Sequence, residues 1–195
     1  SPSPSSRTSA DGSPNGACDD GPVIKIRRTT WPSELDAKVR EASAGPGRDG
    51  ILAALETREG RWAAGTRAAV YLPEGNGVRR VAWEDVERAE WNADESVLHV
   101  WEAGPPDRRT DLAADDAGRF GQLLRERISA SILVQRHVPL VGARGVRVVA
   151  RRSPAAADAA VTWSVVPDKG VDLEQPGVRA LAETALALVR EEFDV

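Results

Sequence analysis

The sequence predicts an α+β fold in which an antiparallel meander is closed by a helix and followed by extra strands and a C-terminal helix. Three observations carry this. From Ile51 to Glu102 short alternating runs are separated by Gly, Asn and Asp turns at close spacing. Ala117, Phe120, Leu124 and Ile128 recur at helical spacing directly afterwards, and Val178, Leu181, Ala185 and Leu188 with Val189 do so near the end. The densest signal is Arg79–Trp101, where three tryptophans stand in two strand-like runs around a polar turn.

Ser1–Pro22 is rich in Ser, Pro, Gly and Asp and has too little apolar surface to offset the entropy of ordering, so a disordered tail is expected. Val23–Arg28 alternates and reads as a short edge strand. A helix follows from Trp31-Pro32, with Thr30 placed to cap it and Leu35, Val39 and Ala42 on one face, ending before Gly45-Pro46-Gly47. The strands are Ile51–Glu56, Arg61–Ala64, Thr66–Leu72 (ended by Pro73), Val78–Trp83, Val86–Trp91 and Ser96–Glu102, with Glu84-Asp85 interrupting the middle. Gly104–Arg109 reads as a loop. Asp111–Asp116 reads as the charged opening of a helix, with Asp111 or Asp115 as its cap. That helix changes to a strand near Ser131. The strand runs to about Leu140, Gly142–Gly145 turns, Val146–Arg151 returns, Val161–Val166 is a further strand, and Pro176–Phe193 is a helix. The domain reading is a 1–22 tail and a single composite 23–195 domain, divisible into 50–132 and 133–195.

Chemistry is sparse. Cys18 is the sole cysteine, which excludes an internal disulfide and argues against a thiolate metal site. His99 and His137 are the only histidines and lie far apart, so no metal is expected. Asp85, Glu87, Glu90 and Asp115-Asp116 read as surface, turn and cap residues rather than a paired acid and base. Ser129, Ser131 and Ser164 lack a nucleophile elbow, and Gly45–Gly50 and Gly142–Gly145 lack the spacing of phosphate-binding loops. No catalytic residue and no cofactor is assigned, and the chain reads as a non-enzyme. The net charge of −4 gives no global pull toward nucleic acid. No apolar run is long enough to span a membrane, and nothing at the start looks like a secretion signal, so a cytoplasmic protein is expected.

One regional feature stands out. No acid lies between Glu126 and Asp158, while arginines are frequent there. With Val146, Val148 and Ala150 facing inward, alternation places Arg147 and Arg151 on the opposite face. Arg136 is expected to join them across the hairpin, with Arg144 in the turn, and Arg152 follows Arg151 in the same acid-free segment. These five form the expected anion- or partner-binding patch. The tryptophans alternate with Ala and Val and are expected in the core, Trp83 and Trp91 against Phe120.

The span Ile51–Ile132 resembles a small bacterial pleckstrin-homology-like or GRAM-like domain. The resemblance rests on Gly65-Thr66-Arg67 stepping into a strand, on Trp83-Glu84-Asp85-Val86 as a kink before a strand ending in tryptophan, and on the Leu123-Leu124 helix. It implies a strongly bent antiparallel sheet whose open end a helix closes. The chain as a whole resembles uncharacterised conserved proteins of high-GC actinobacteria, which bring no chemistry with them. The function expected is a non-enzymatic protein- or peptide-binding scaffold. The alternative is binding of nucleic acid or another phosphate-bearing ligand through the Arg136–Arg152 hairpin.

Overall fold

The computed structural model describes residues 30–43, 49–104 and 108–193. The expected tail, the Val23–Arg28 strand and the Gly45–Gly47 helix end lie outside the described residues. The elements are α1 (Ser33–Ala42), β1 (Ala53–Glu56), β2 (Trp62–Gly65), β3 (Ala69–Glu74), β4 (Gly77–Ala82), a 3-10 turn at Trp83–Asp85, β5 (Val86–Asn92), β6 (Val97–Glu102), β7 (Arg108–Ala113), α2 (Gly118–Ser131), β8 (Ile132–Val141), β9 (Arg144–Arg151), β10 (Thr162–Pro167) and α3 (Pro176–Glu192). They form three antiparallel sheets, ordered β1-β2-β3-β4, β5-β6-β7 and β10-β9-β8.

The first sheet is buried on both faces. Ala54, Ala64, Ala69 and Tyr71 pack under Leu35 and Val39 of α1, while Ala53, Leu55, Ala63, Val70, Leu72 and Val81 face the main core. This two-sided burial explains why β3 reads as a continuous apolar run rather than an alternating one. Pro32 stands in extended backbone just before α1, and no side chain caps that helix, so Thr30 does not fill the role expected of it. Its far end is tied down by Ser43 Oγ, which donates to the Val39 carbonyl and lies 2.8 Å from Tyr71 Oη. Pro73 lies inside β3, paired with Val78, and does not end the strand. It is tolerated because β2 pairs only with Val70 and Tyr71, leaving the Pro73 end of β3 free on that side.

The second sheet contributes Val86, Leu98, Val100 and Leu112 to the main core, and α2 closes it with Phe120, Leu123, Leu124 and Ile128. Trp83 is fully buried between them, its Nε1–H donating to the Thr66 carbonyl at 3.1 Å. Trp91 packs partly buried on the same core. Trp101 departs from the core expectation: it is half-exposed on the outer face, with the Arg88 guanidinium stacked 3.6 Å from its ring centroid.

A four-membered ion network joins the two sheets. Arg79 donates twice to Glu102, at 2.8 and 2.7 Å, and pairs with Glu74 at 3.1 Å, while Arg108 donates to Glu74 at 2.6 Å. Two partners hold the Arg79 side chain at 20% exposure and that of Glu102 at 14%, so the central pair is shielded from water.

The expected helix opening is corrected here. Arg108–Ala113 is a strand, not loop and helix start, and Asp111 pairs across from His99 within it. Leu112 lies opposite Leu98 and is buried in the core, which supplies the free energy for a strand otherwise made of Arg, Thr, Asp and one Ala. Helix α2 begins only at Gly118, where Asp116 Oδ1 accepts the Gly118 N–H, while Asp115 pairs with Arg58 instead of capping.

The third sheet has its own core. Val134, Val146, Val148 and Ala150 pack under Ala182, Ala185 and Val189 of α3. The expected α3 stripe is thereby shifted: Leu181 and Leu188 are 48% and 60% exposed. Small alanines let the helix lie close to the sheet, and the leucines are left on its flank. Gly145 in β9 is required by close approach: a Cβ there would meet the Val138 carbonyl oxygen and come within 2.7 Å of Pro139 Cα.

Candidate partner-binding surface

Register decides which arginines share a face. In β8–β9, Arg136 lies opposite Val148, and His137 lies opposite Arg147. Directly paired residues of an antiparallel ladder point to the same side. Arg136 therefore stands on the α3 side, where it pairs with Glu192 at 3.4 Å, and it does not join Arg147. Arg151 is on the far side as expected but is withdrawn from solvent at 5% exposure. Its guanidinium donates to Ser131 Oγ at 3.0 Å and to the Glu87 carbonyl at 2.9 Å, binding the third sheet to β5. Burial pulls its pKa below the usual arginine value, and the charge of Glu87 opposes this. Arg152 is half-buried, its N–H donating to the Ser131 carbonyl. Of the five expected patch residues, Arg144 and Arg147 remain exposed, and neither forms an ion pair among the described residues.

The face carrying Arg147 also holds His137, whose Nε2 lies 2.8 Å from Asp168 Oδ2. The same carboxylate accepts the Gly145 N–H at 2.8 Å. The His137 hydrogen bond, followed by that of Gly145, holds Asp168 below the ordinary carboxylate range. The contact is made over Gly145, where no side chain intervenes between β8 and the end of β10.

The opposite side is apolar. The three large hydrophobic side chains exposed among the described residues, Leu133, Leu181 and Leu188, all belong to β8 or α3. Residues 181, 188 and 192 recur at intervals of seven and four, so they share one helix flank. Since Glu192 reaches Arg136, that flank faces β8. Strand β8 is ten residues long and, among the described residues, ends its sheet, with β9 on one side only. Irregularities interrupt the register between Ile132 and Val134 and between Pro139 and Val141, leaving Val134–Val138 as the regular stretch. Gln135, Arg136 and His137 within it are exposed. An unpaired edge next to exposed leucines is chemically a template for another strand, offering backbone donors and acceptors along one line and an apolar ledge beside it.

A surface hollow of about 470 Å³ on the outer face of the second sheet is lined by Thr57, Glu59, Arg61, Glu95, His99 and Arg109, with Asp111 and its neighbours. His99 Nδ1 lies 2.8 Å from Asp111 Oδ1, and Arg109 donates to Asp111 Oδ2 at 2.9 Å. Burial pushes the Asp111 carboxyl up, but the His99 hydrogen bond and the Arg109 charge outweigh it and leave it below its ordinary value. The hydroxyl lining this hollow, Thr57 Oγ1, accepts the Arg61 N–H in the β1–β2 turn. His99 Nε2 also lies 3.9 Å from Glu95 Oε2, so the imidazole stands between two carboxylates and the group suits an ion-paired sheet surface better than nucleophilic chemistry. Among the described residues no group of three or more His, Cys, Asp or Glu is arranged to hold a metal ion, and no helix is long and apolar enough to cross a membrane.

No family model, curated protein or solved structure matches this chain. Sequence reasoning missed the β8 edge and its leucines. The signal was present, since α3 is apolar around much of its circumference, but periodicity alone does not choose which part of such a helix is covered.

Proposed function

We propose that this protein is a non-enzymatic binding module that takes an extended segment of a partner protein as a fourth strand on β8. The observation that carries the proposal is the β8 edge, free among the described residues, on the side that the α3 flank of Leu181, Leu188 and Glu192 faces. The pleckstrin-homology-like reading of 50–132 is supported by a four-stranded and a three-stranded meander followed by α2. On that reading the first two sheets serve as a scaffold, to which Arg151 anchors the strand-presenting unit. Burying what remains exposed of each leucine is worth about 1 kcal/mol, half of the usual gain for a whole side chain. The test is a heptapeptide library selected on the full chain. Selected peptides should protect β8 amides from hydrogen exchange, lose binding when N-methylated at alternate residues, and bind at least about tenfold more weakly to Leu181→Asp/Leu188→Asp. Peptides indifferent to both changes would overturn the proposal.

The second reading, a phosphate-bearing ligand on the Arg136–Arg152 hairpin, rests on Arg144 and Arg147, which are exposed and form no ion pair within 4 Å among the described residues. Two phosphate contacts imply that log affinity falls against log salt with a slope of about −2. Random DNA and RNA titrated at two salt concentrations test it, and absence of binding at low salt removes it.

A further inference from the structure

We propose that α3 pairs antiparallel with α3 of a second copy of this chain through its solvent side. A helix that is apolar on one side is satisfied by one neighbour, whereas one that is apolar on a second side calls for another. The sheet side of α3 is filled by Ala182, Ala185 and Val189. On the solvent side Ala180, Leu181, Ala187 and Leu188 each stand three or four residues from Thr184, so the five share one stripe, and all five are exposed. The stripe carries no charge until Glu191. Arg179, Glu183 and Arg190 fall outside it, on the side away from β8, and Glu192 lies toward β8 and is taken by Arg136.

The stripe is complementary to itself. With a two-fold axis at Thr184, Leu188 comes level with Ala180 of the second copy and Leu181 with Ala187 of the second copy, so each layer sets a large side chain against a small one. Thr184 meets its own counterpart at the axis, and its hydroxyl already donates to the Ala180 carbonyl at 2.8 Å, so covering it strands no donor. At each end Glu191 comes level with Gly177 of the second copy. That helix start has no side-chain cap and no acid in its first turn. Pro176 has no N–H and the Arg179 N–H donates to the Gln175 carbonyl, which leaves the Gly177 and Val178 N–H groups without a backbone acceptor among the described residues. The space a Cβ of Gly177 would take is open, so a carboxylate can reach these donors and the positive end of the helix dipole. Parallel pairing would set Glu191 against Glu191 and leave both starts uncapped. A single helix pair covers less than the about 1,200 Å² of a stable interface, so the dimer depends on concentration. A β8-bound strand and a second copy both draw on Leu181 and Leu188 and therefore exclude each other, and the pairing stands without the β8 reading.

Sedimentation velocity on the full chain tests this, and monomer should pass to dimer as concentration rises. Ala180→Glu/Ala187→Glu places a charge in each layer at positions exposed in the monomer. It should weaken association at least about tenfold, with a thermal melt unchanged at concentrations where the wild type is monomeric. Glu191→Lys suits its own helix end better but faces the positive start of the other helix, so it should weaken association about threefold or more without loss of monomer stability. Orientation is read by disulfide trapping in a Cys18→Ser background, which removes the sole cysteine. Gly177→Cys and Glu191→Cys proteins should cross-link when mixed and not when alone. A monomer at every concentration overturns the proposal, as does a dimer that Ala180→Glu/Ala187→Glu leaves intact. Self-linking of Glu191→Cys overturns the antiparallel arrangement. The alanine variant keeps both leucines, so strand peptides selected on β8 should still bind it, and failure of the dimer is told apart from failure of the β8 reading.

Discussion

Arg151 separates a structural arginine from a ligand-binding one, and its replacement by alanine is the sharpest check. The side chain is 5% exposed and donates to Ser131 Oγ and to the Glu87 carbonyl. Truncation removes a buried aliphatic stem of about 2 kcal/mol at 0.8 kcal/mol per methylene. It also leaves the Glu87 carbonyl without its donor, a cost of about 1–3 kcal/mol, while releasing a charge that was expensive to bury. Ser131 keeps its bond to the Ile128 carbonyl, so its loss is small. The expected net destabilisation of Arg151→Ala is about 2–4 kcal/mol. With a urea slope of about 2 kcal/mol/M this moves the midpoint down by about 1–2 M, followed by tryptophan fluorescence. Arg151→Met keeps most of the stem and should cost about half as much. A midpoint unchanged by Arg151→Ala would refute the anchoring role. So would a loss of anion affinity at unchanged stability, which would return Arg151 to the surface patch.

Gly145→Ala drives a methyl group into the Val138 carbonyl and should destabilise by about 3 kcal/mol or more, read as faster hydrogen exchange across β8 and β9 than across β5 and β6. Arg79→Ala leaves the shielded Glu102 with only Arg108, 3.8 Å away, and should cost about 1–3 kcal/mol in thermal unfolding, whereas Arg79→Met with Glu102→Leu should regain most of it. Asp111 and Asp168 both have folded pKa values below their unfolded ones, so their contribution is present above the unfolded value of about 4 and is lost as pH falls through the folded values. The urea midpoint should accordingly hold from pH 7 to pH 5 and drop below pH 4, and Asp111→Asn/Asp168→Asn should flatten that drop.

Much of the fold was legible because local patterns and burial agree over most of the chain. Strands β1 to β6 were marked by alternating or short apolar runs between turn residues, and the helix-to-strand change at Ser131–Ile132 coincides with the end of the Phe120–Ile128 repeat. Strand β7 was not legible: Leu112 is its one large apolar residue, and its other side chains suit a loop or a helix start. What makes it a strand is pairing with β6, a long-range interaction with no local counterpart. Trp101 reads inward because the tryptophans alternate with Ala and Val, but the β5–β6 register puts it opposite Arg88 on the outer face.

The sequence by itself determined that this is an α+β chain with an antiparallel meander, a closing helix and a second strand-and-helix unit, because periodicity and turn chemistry act over a few residues. It also singled out the segment after Glu126 as acid-free and rich in arginine, since that is a matter of composition. Only the tertiary structure decided what those arginines do. A shift of one residue in pairing moves a side chain to the other face, and the observed register sends Arg136 to Glu192, buries Arg151 against Glu87 and leaves Arg144 and Arg147 exposed. Likewise only the packing of α3 through its alanines left Leu181 and Leu188 on the flank toward β8, whose outer edge has no neighbour among the described residues. Which edge stays open and which flank of a helix stays uncovered depend on the placement of elements distant in sequence, and local pattern carries no information about that.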